Sequence, residues 1–168
     1  KKLRDWKEEP RRGTYLENEK LWSHEIDFWG GDIASTAGKL DYVQQLGADV
    51  LYLNPVVLAF TNHKYDALDF QAISPEYGRR DDVKNLAAET KRRGMKLVLD
   101  GVFNHMGRNS PKFKDAETNV KSPYREWFVL GTQYKGGART WWNAQNLPEL
   151  NLENKAVSDH LWAAKDSV

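Results

Sequence analysis

The sequence predicts an α/β fold in which parallel strands alternate with helices. Two segments carry the same order of elements: an apolar helical pattern, a glycine, a short apolar strand and a polar loop. Gly47 and Gly94 occupy matching positions between helix and strand. Such alternation is typical of parallel strands joined by right-handed crossovers. The 168 residues suffice for one domain with a hydrophobic core.

The first segment follows a polar lead-in, residues 1–30, for which we predict extended structure. From Asp32 the apolar residues recur at helical steps up to Gly47, and they are Ile33, Ala37, Leu40, Val43 and Leu46. Val50–Leu53 then predicts a short buried strand, which Asn54 and Pro55 close because proline cannot donate to a ladder. We predict a loop from Val56 to Gly78.

The second segment contains the stretch around which the chain is organised, Met95–His105. A helix is predicted before it from apolar residues at helical steps, which are Val83, Leu86, Ala87 and Thr90. The apolar run Leu97–Leu99 predicts a strand buried on both faces. Asp100 ends this strand, and Asn104 and His105 follow closely. Because ligands of parallel α/β folds bind at the carboxyl ends of strands, this stretch predicts a functional site, the alternative being a simple turn cap.

The rest of the chain is irregular until its last helix. Glycine and proline interrupt every candidate element from Met106 to Asn151, and a long excursion of this kind inside a compact domain indicates a functional segment. Apolar residues return at helical steps from Asn154, which predicts a helix over Asn154–Val168.

Composition excludes several classes of function. The net charge is +1, from 25 basic and 24 acidic residues without blocks, so we expect neither nucleic acid nor a membrane surface as a partner. Cysteine is absent, which excludes disulfides and thiol catalysis. No apolar stretch approaches the roughly 20 residues that cross a bilayer. Lys1 begins without an initiator methionine or signal pattern, so we expect the natural N-terminus to be missing. The compartment is left open between cytoplasmic and periplasmic or secreted bacterial locations.

Aromatic residues are frequent in polar loops. The chain has seven Trp, seven Tyr and six Phe, several of them in segments marked by glycine or polar residues, such as Asp27–Gly31 and Thr140–Asn143. Trp142 belongs to the second of these. Because the flat C–H faces of sugars pack on aromatic rings, these loops favour carbohydrate as a ligand over a purely structural use of the rings.

Several motifs together resemble the α-amylase family of glycoside hydrolases, in particular its cyclomaltodextrinase and neopullulanase branch. They occur in the family's order and are Phe28–Asp32, Gly47–Pro55, His63–Asp66, Asp100–His105 and Leu147–Asn151. The resemblance implies a partial (β/α)8 TIM barrel comprising about strands two and three. It also implies that residues 1–104 are barrel with its lead-in, residues 105–150 an inserted small domain and residues 151–168 the return helix.

The resemblance also assigns roles to particular residues. It implies that Tyr65 stacks on the sugar ring at the cleavage subsite, and that His63 and His105 hydrogen-bond its hydroxyls. Asp100 is implied as an anchor of the surrounding hydrogen bonds. The alternatives are ordinary loop histidines and a strand-end cap.

Calcium is a further possibility that the resemblance raises. Asn104 and Asn151 match calcium-binding positions of many amylases, and Asp32 with Gly30 resembles half of another calcium site. Calcium needs about six to eight oxygen ligands, and two amides without clustered acids supply few of them. The branch often lacks this ion, so we expect no required cofactor, with calcium as an option.

The expected function is cleavage of α-1,4-glucosidic bonds in cyclodextrins or maltodextrins by the retaining mechanism. That mechanism needs two carboxyl groups about 5 Å apart. The family supplies them from strands four and five, whose motifs are absent here, so we expect no catalytic pair in this chain and no activity of the chain alone. The implied partner is an oligosaccharide, with a homodimer of the full-length protein as an option. Alternatives are a transglycosylase or isomerase of the family, a non-catalytic amylase-like scaffold, and a small sugar-binding domain.

Overall fold

The structure is a computed structural model that describes residues 3–165 and 167–168. The parts of the predicted lead-in and last helix at residues 1, 2 and 166 lie outside the described residues. The strands are β1 (Tyr15–Leu16), β2 (Leu21–Trp22), β3 (Val50–Leu53), β4 (Val57–Ala59), β5 (Ala67–Ile73) and β6 (Lys96–Leu99). The helices are α1 (Ile33–Ala37), α2 (Leu40–Gln45), α3 (Arg80–Arg92), α4 (Pro111–Thr118) and α5 (Lys155–Ser158).

Strands β3 and β6 form the predicted parallel pair. Val50 lies opposite Lys96, and the register continues to Leu53 opposite Leu99. The helices that precede both strands contribute to one hydrophobic cluster on this pair. Its buried members are Ile33, Leu40 and Leu86, and Leu51, Leu53 and Leu97 of the strands pack against them. The prediction of adjacent parallel strands with their helices on one side is therefore confirmed.

The prediction that Leu97–Leu99 is buried on both faces is wrong. Val98 is 39% and Leu99 43% exposed, and Tyr52 on the neighbouring strand is 56% exposed. The helices cover the face that carries Leu97, and no described element covers the opposite face with Tyr52 and Val98. Leu99 shares the face of Leu97, but it is the last residue of the strand and does not belong to the hydrophobic cluster under the helices. The prediction that Val50–Leu53 is a buried strand is wrong in the same way, since Val50 is 47% exposed. The apolar runs therefore identify both strands correctly but overstate their burial.

The first predicted helix is divided into two. α1 ends at Ala37 and α2 begins at Leu40, with Gly38 between them. Glycine is the weakest helix former after proline, which accounts for a break at this position. Gly47 and Gly94 adopt φ angles of +79° and +72°, the left-handed conformation that commonly ends a helix. Both predicted helix ends are thus confirmed.

The predicted loop Val56–Gly78 is largely an antiparallel hairpin of β4 and β5. Ala59 lies opposite Ala67, and the ladder has register shifts between Val57 and Ala59, where β5 contributes the extra residues. The prediction of a loop is wrong here because β5 pairs with the nearby β4, and Phe60–Asp66 form the connection between the two strands. This connection carries two of the predicted site residues, His63 and Tyr65.

Residues 105–163 pack around a second hydrophobic cluster. It combines residues of the irregular segment and the last helix with β5, and its buried members include Phe70, Met106, Phe113, Phe128, Leu150, Val157 and Leu161. Bridges join Phe128 to Leu150 and Thr140 to Pro148. α4 is the regular helix of this segment, capped by the Ser110 hydroxyl that accepts from the Phe113 N–H. The irregular segment is therefore stabilised by a hydrophobic core that it shares with β5 and the last helix.

The last helix is shorter than predicted. α5 continues into a π-helical turn over Asp159–Ala163, and Ala164 is extended. The chain then turns back, and the Val168 N–H donates to the His160 carbonyl at 3.1 Å. The predicted helix over Asn154–Val168 is therefore wrong in its last residues, since helical structure ends at Ala163. Among the described residues, none of the helices has the length and apolar composition that a membrane crossing requires.

Candidate functional site

The connection between β4 and β5 alternates between buried and partly exposed side chains. Thr61, Lys64 and Asp66 are at most 2% exposed, whereas His63 and Tyr65 are partly exposed. The loop thus places its two predicted sugar-binding side chains at the surface and its charged neighbours in the interior.

Asp66 fixes the shape of this loop. Its carboxylate accepts the Thr61 hydroxyl at 2.5 Å and the Thr61 N–H at 3.2 Å. Burial raises the pKa of Asp66, and the hydrogen bonds from Thr61 oppose that rise. The contact closes the loop across five residues and holds Tyr65 next to a rigid anchor.

Lys64 is the second interior anchor, and sequence patterns do not reveal it. Its side chain is 1% exposed and forms an ion pair with Glu76. The ammonium also lies 5.0 Å from the Phe28 ring centroid and 5.1 Å from that of Tyr77, distances typical of cation–π contacts. Its φ of +65° is unusual for a residue with a side chain. The loop therefore adopts a strained backbone to bury this cation.

Asp100 joins the two strand ends. The Tyr65 hydroxyl donates to Asp100 Oδ2 at 2.9 Å, across 35 residues of sequence. Hydrogen bonding to Asp100, together with burial, raises the pKa of Tyr65 and of Tyr52. The Asp100 N–H continues the ladder by donating to the Leu53 carbonyl at 3.0 Å. Asp100 is thus a strand-end carboxylate that orients a tyrosine from the neighbouring loop.

His63 packs beside Tyr65. The two rings stack with centroids 5.8 Å apart and an interplanar angle of 27°. The Tyr65 N–H donates to His63 Nδ1 at 3.1 Å, so neutral His63 carries its proton on Nε2. Nε2 then donates to Glu25 Oε1 at 3.1 Å. Glu25 of the lead-in therefore orients the imidazole, a role that no feature of the sequence indicates.

His105 supports Tyr65 from the interior. It is 3% exposed, and its Nε2 donates to the Tyr65 carbonyl at 3.0 Å. The following Gly107 donates its N–H to the Ala67 carbonyl at 2.8 Å, and a Cβ at Gly107 would lie 2.5 Å from the Asp66 carbonyl oxygen. The segment after β6 therefore lies directly against the Tyr65 loop, and the structure brings His63, Tyr65, Asp100 and His105 together.

Burial lowers the pKa of His105 below its usual 6.5, which predicts a pH dependence of stability. The unfolded chain takes up a proton more readily than the folded chain, so the stabilisation is complete above pH 6.5 and is lost as the pH falls below it. We expect the free energy of unfolding of the wild-type chain to fall more steeply between pH 7.5 and 5.5 than that of His105→Gln. Denaturant titrations at both pH values measure this difference.

His24→Gln is the matched control for this prediction, since His24 is exposed. Burial also lowers the pKa of His160. Because His160 is present in all of these proteins, its contribution to the pH dependence of stability is the same in each and cancels in the comparison. If the free energy of unfolding falls equally between pH 7.5 and 5.5 in the wild-type chain and in His105→Gln, a neutral, buried His105 is contradicted.

A cavity of about 310 Å³ opens beside Tyr65 and Asp100. Its other walls are mostly apolar and include Val57, Phe70, Leu99 and Phe103. Ligand sites of this kind combine apolar walls with a few polar groups that fix orientation. The volume and lining suit one sugar ring, with Tyr65 supplying an aromatic face and Asp100 an acceptor.

Trp142 lies apart from this cavity and is connected to His105 through another tryptophan. Trp142 is 86% exposed. Its ring centroid is 5.9 Å from that of Trp141, which in turn is 5.8 Å from that of His105. The structure therefore links Trp142 to the site, although it does not place this residue among the cavity walls.

The predicted calcium ligands fall into separate places. Asn104 and Asn151 line one cavity with the carboxylates Glu126 and Glu153, a set of oxygen donors that suits calcium chemically. Asp32 lines a different cavity, and its carboxylate caps α1 by accepting from the Ser35 N–H at 2.7 Å. The described residues contain no group of three or more acidic or histidine side chains placed for a metal ion. Calcium at these positions stays a prediction.

Comparison with known proteins gives a consistent result. The family described as "Alpha amylase, catalytic domain" matches residues 7–167. The intracellular maltogenic amylase of Bacillus subtilis is 38% identical over 142 residues, which are 80% of this chain and 24% of that protein. A cyclomaltodextrinase of a Bacillus species is 36% identical over 146 residues, which are 83% of this chain and 26% of that protein. The chain thus spans about a quarter of the length of these relatives.

A solved structure agrees with these sequence matches. Ttha1563 from Thermus thermophilus superimposes with a TM-score of 0.80 at 30% identity. The superposition covers 97% of this chain and 33% of that protein. The arrangement of strands, helices and irregular segment described above therefore occurs within a larger protein.

Proposed function

The chain belongs to the alpha-amylase family, and from this premise we propose that it forms one wall of a glycosidase cleft that binds a glucosyl unit of an α-1,4-linked oligosaccharide. The observation that carries the proposal is the joining of two strand ends through the Tyr65 hydroxyl and Asp100, beside a cavity that fits one sugar ring. Cyclodextrins and maltodextrins are the proposed substrates of the whole protein.

The proposed architecture is part of a (β/α)8 barrel. β3 and β6 would be its second and third strands, since they are parallel, adjacent and preceded by helices on one side. Residues 1–104 would then be barrel with its lead-in, residues 105–150 the inserted small domain and residues 151–168 the return helix. The exposed face with Tyr52 and Val98 would line the barrel interior.

Each site residue has a distinct proposed task. Tyr65 presents an aromatic ring on which the C–H face of a glucosyl unit stacks. His63 keeps that ring in place and offers an imidazole edge at the rim, while Asp100 holds the Tyr65 hydroxyl. His105 positions the Tyr65 main chain from beneath, and its contact with a sugar hydroxyl stays a prediction. If calcium binds, the oxygens of Asn104 and Asn151 would hold it and stiffen the segment after β6.

Catalysis in the whole protein would use the retaining mechanism, with a carboxylate nucleophile and a carboxylic acid. Three acids of this chain that could be considered for these roles already have structural partners. Asp27 pairs with Arg4, Glu76 with Lys64 and Glu149 with Arg139. We therefore propose that the described residues shape the cleft and bind the sugar, and that other parts of the protein supply the reacting carboxylates.

This division of roles predicts that the 168-residue chain binds maltooligosaccharides weakly and does not cleave them. The purified chain is incubated with β-cyclodextrin and with maltotriose, and released glucose and maltose are measured against a buffer blank. Isothermal titration with the same sugars measures binding. We expect heat of binding and no release of product.

Two outcomes would contradict the proposal. Product release that disappears in Tyr65→Ala would mean that a catalytic pair lies within this chain. Absence of binding by a chain whose circular dichroism shows a folded protein would favour a non-catalytic scaffold without a sugar subsite.

A further inference from the structure

A series of rings leads away from the Tyr65 site. His105 bonds to the Tyr65 main chain, Trp141 lies 5.8 Å from His105, and Trp142 lies 5.9 Å from Trp141. The Trp142 ring therefore lies within two such centroid distances of the His105 ring. Each spacing is comparable with the length of one glucosyl unit, so an oligosaccharide bound at Tyr65 is long enough to reach Trp142.

Trp142 combines a strained backbone with an exposed ring. Trp142 and Asn143 have φ angles of +48° and +62°. Asparagine tolerates this left-handed region, whereas a bulky aromatic residue rarely adopts it. The indole nevertheless projects into solvent, and the residue is 86% exposed. Burial of the ring therefore does not account for this conformation.

The loop that carries Trp142 is held firmly to the site. The Trp141 N–H donates to the Leu147 carbonyl at 3.0 Å, and the Ala144 N–H donates to the Trp141 carbonyl at 2.9 Å. Arg108 donates from Nε to the Gln145 carbonyl at 2.6 Å. A bridge joins His105 to Glu149, just after the loop. The position of Trp142 relative to Tyr65 is therefore set before any ligand arrives.

We propose that Trp142 is a second glucosyl-binding subsite, which stacks on a unit of the same α-1,4-linked chain that occupies the Tyr65 site. This inference rests on the proposed function. An exposed indole offers the largest aromatic face for a sugar, and the adjacent exposed Asn143 amide supplies donors and an acceptor for hydroxyls. A subsite at this distance selects for chain length, so it favours maltooligosaccharides over maltose.

The test compares maltose with maltotetraose on the 168-residue chain. We expect the wild-type chain to bind maltotetraose more tightly, and Trp142→Ala to weaken maltotetraose binding about tenfold while maltose binding changes less than about twofold. Trp142→Gly should show the same loss of binding without loss of thermal stability, because glycine adopts the left-handed backbone freely. Trp142→Phe should keep most of the preference for maltotetraose over maltose. Trp6→Ala is the matched control, since Trp6 is 74% exposed and remote in sequence.

The outcomes separate this inference from the proposed function. If the wild-type chain binds both sugars and the Trp142 variants leave the preference unchanged, the second subsite is wrong and the Tyr65 site stands. If the wild-type chain binds neither sugar, both proposals are wrong. Equal weakening of both sugars by Trp142→Ala would also overturn the subsite, since it would place Trp142 at the first glucosyl unit.

Discussion

Replacing Lys64 with methionine should lower the free energy of unfolding by about 3–5 kcal/mol, because the change removes the Lys64 cation from the Glu76 carboxylate in a largely buried position. The Lys64 side chain is 1% and the Glu76 side chain 15% exposed. The substitution also removes the cation–π contacts of the ammonium with the Phe28 and Tyr77 rings. Urea denaturation followed by circular dichroism measures the loss.

Lys84→Met is the matched control for Lys64. Lys84 also pairs with a carboxylate, Asp81, at 3.0 Å, but the two side chains are 76% and 87% exposed. Exposed pairs contribute little, so we expect a loss below about 1 kcal/mol. Adding Glu76→Gln to Lys64→Met should recover part of the stability, since it removes the buried charge that the lysine had neutralised. Similar losses for Lys84→Met and Lys64→Met would contradict the role of Lys64 as the interior anchor of the site loop.

Replacing Tyr65 with alanine should weaken the binding of maltotriose at least about tenfold, because it removes the aromatic face at the cavity. Tyr65→Phe keeps the ring and loses only the hydroxyl that donates to Asp100 at 2.9 Å. We expect this variant to bind within a few-fold of the wild-type chain. Isothermal titration of the 168-residue chain measures both variants.

Tyr42→Ala controls for the loss of a tyrosine outside the site. Tyr42 lies on α2 and is 61% exposed. The Tyr42→Ala variant should bind maltotriose as tightly as the wild-type chain does. Unchanged binding in Tyr65→Ala, with thermal melting showing a folded protein, would mean that the sugar binds elsewhere.

The parallel strands and the ends of their helices could be predicted from the sequence because local signals agree there. Apolar runs identify β3 and β6, and Gly47 and Gly94 stop the helices in the left-handed conformation. The predicted loop does not include β5, although the alternation of Leu68, Asp69, Phe70 and Gln71 is a strand signal, because the polar residues just before this alternation are typical of a loop.

The supporting residues of the candidate site could not be predicted in the same way. Lysine is rarely buried, so nothing in the sequence marks Lys64 as an interior residue. Glu25 contacts His63 across 38 residues, and only the folded chain brings them together. The apolar run predicts Tyr52 only as a strand residue, whereas in the folded chain Asp100 raises the pKa of Tyr52 as well as that of Tyr65. The motifs identify both the partly exposed His63 and Tyr65 and the buried His105, whereas the partners that hold these side chains depend on tertiary contacts.

Mapping of bound sugar by nuclear magnetic resonance tests the central claim most directly. Maltotriose is added to the 15N-labelled 168-residue chain, and amide shifts are followed residue by residue. The proposed function predicts that the largest changes fall at His63, Tyr65 and Asp100, around the cavity of about 310 Å³. Changes confined to the separate cavity lined by Gly30, Asp32 and Tyr77, or no changes at the Tyr65 loop at any sugar concentration, would contradict it.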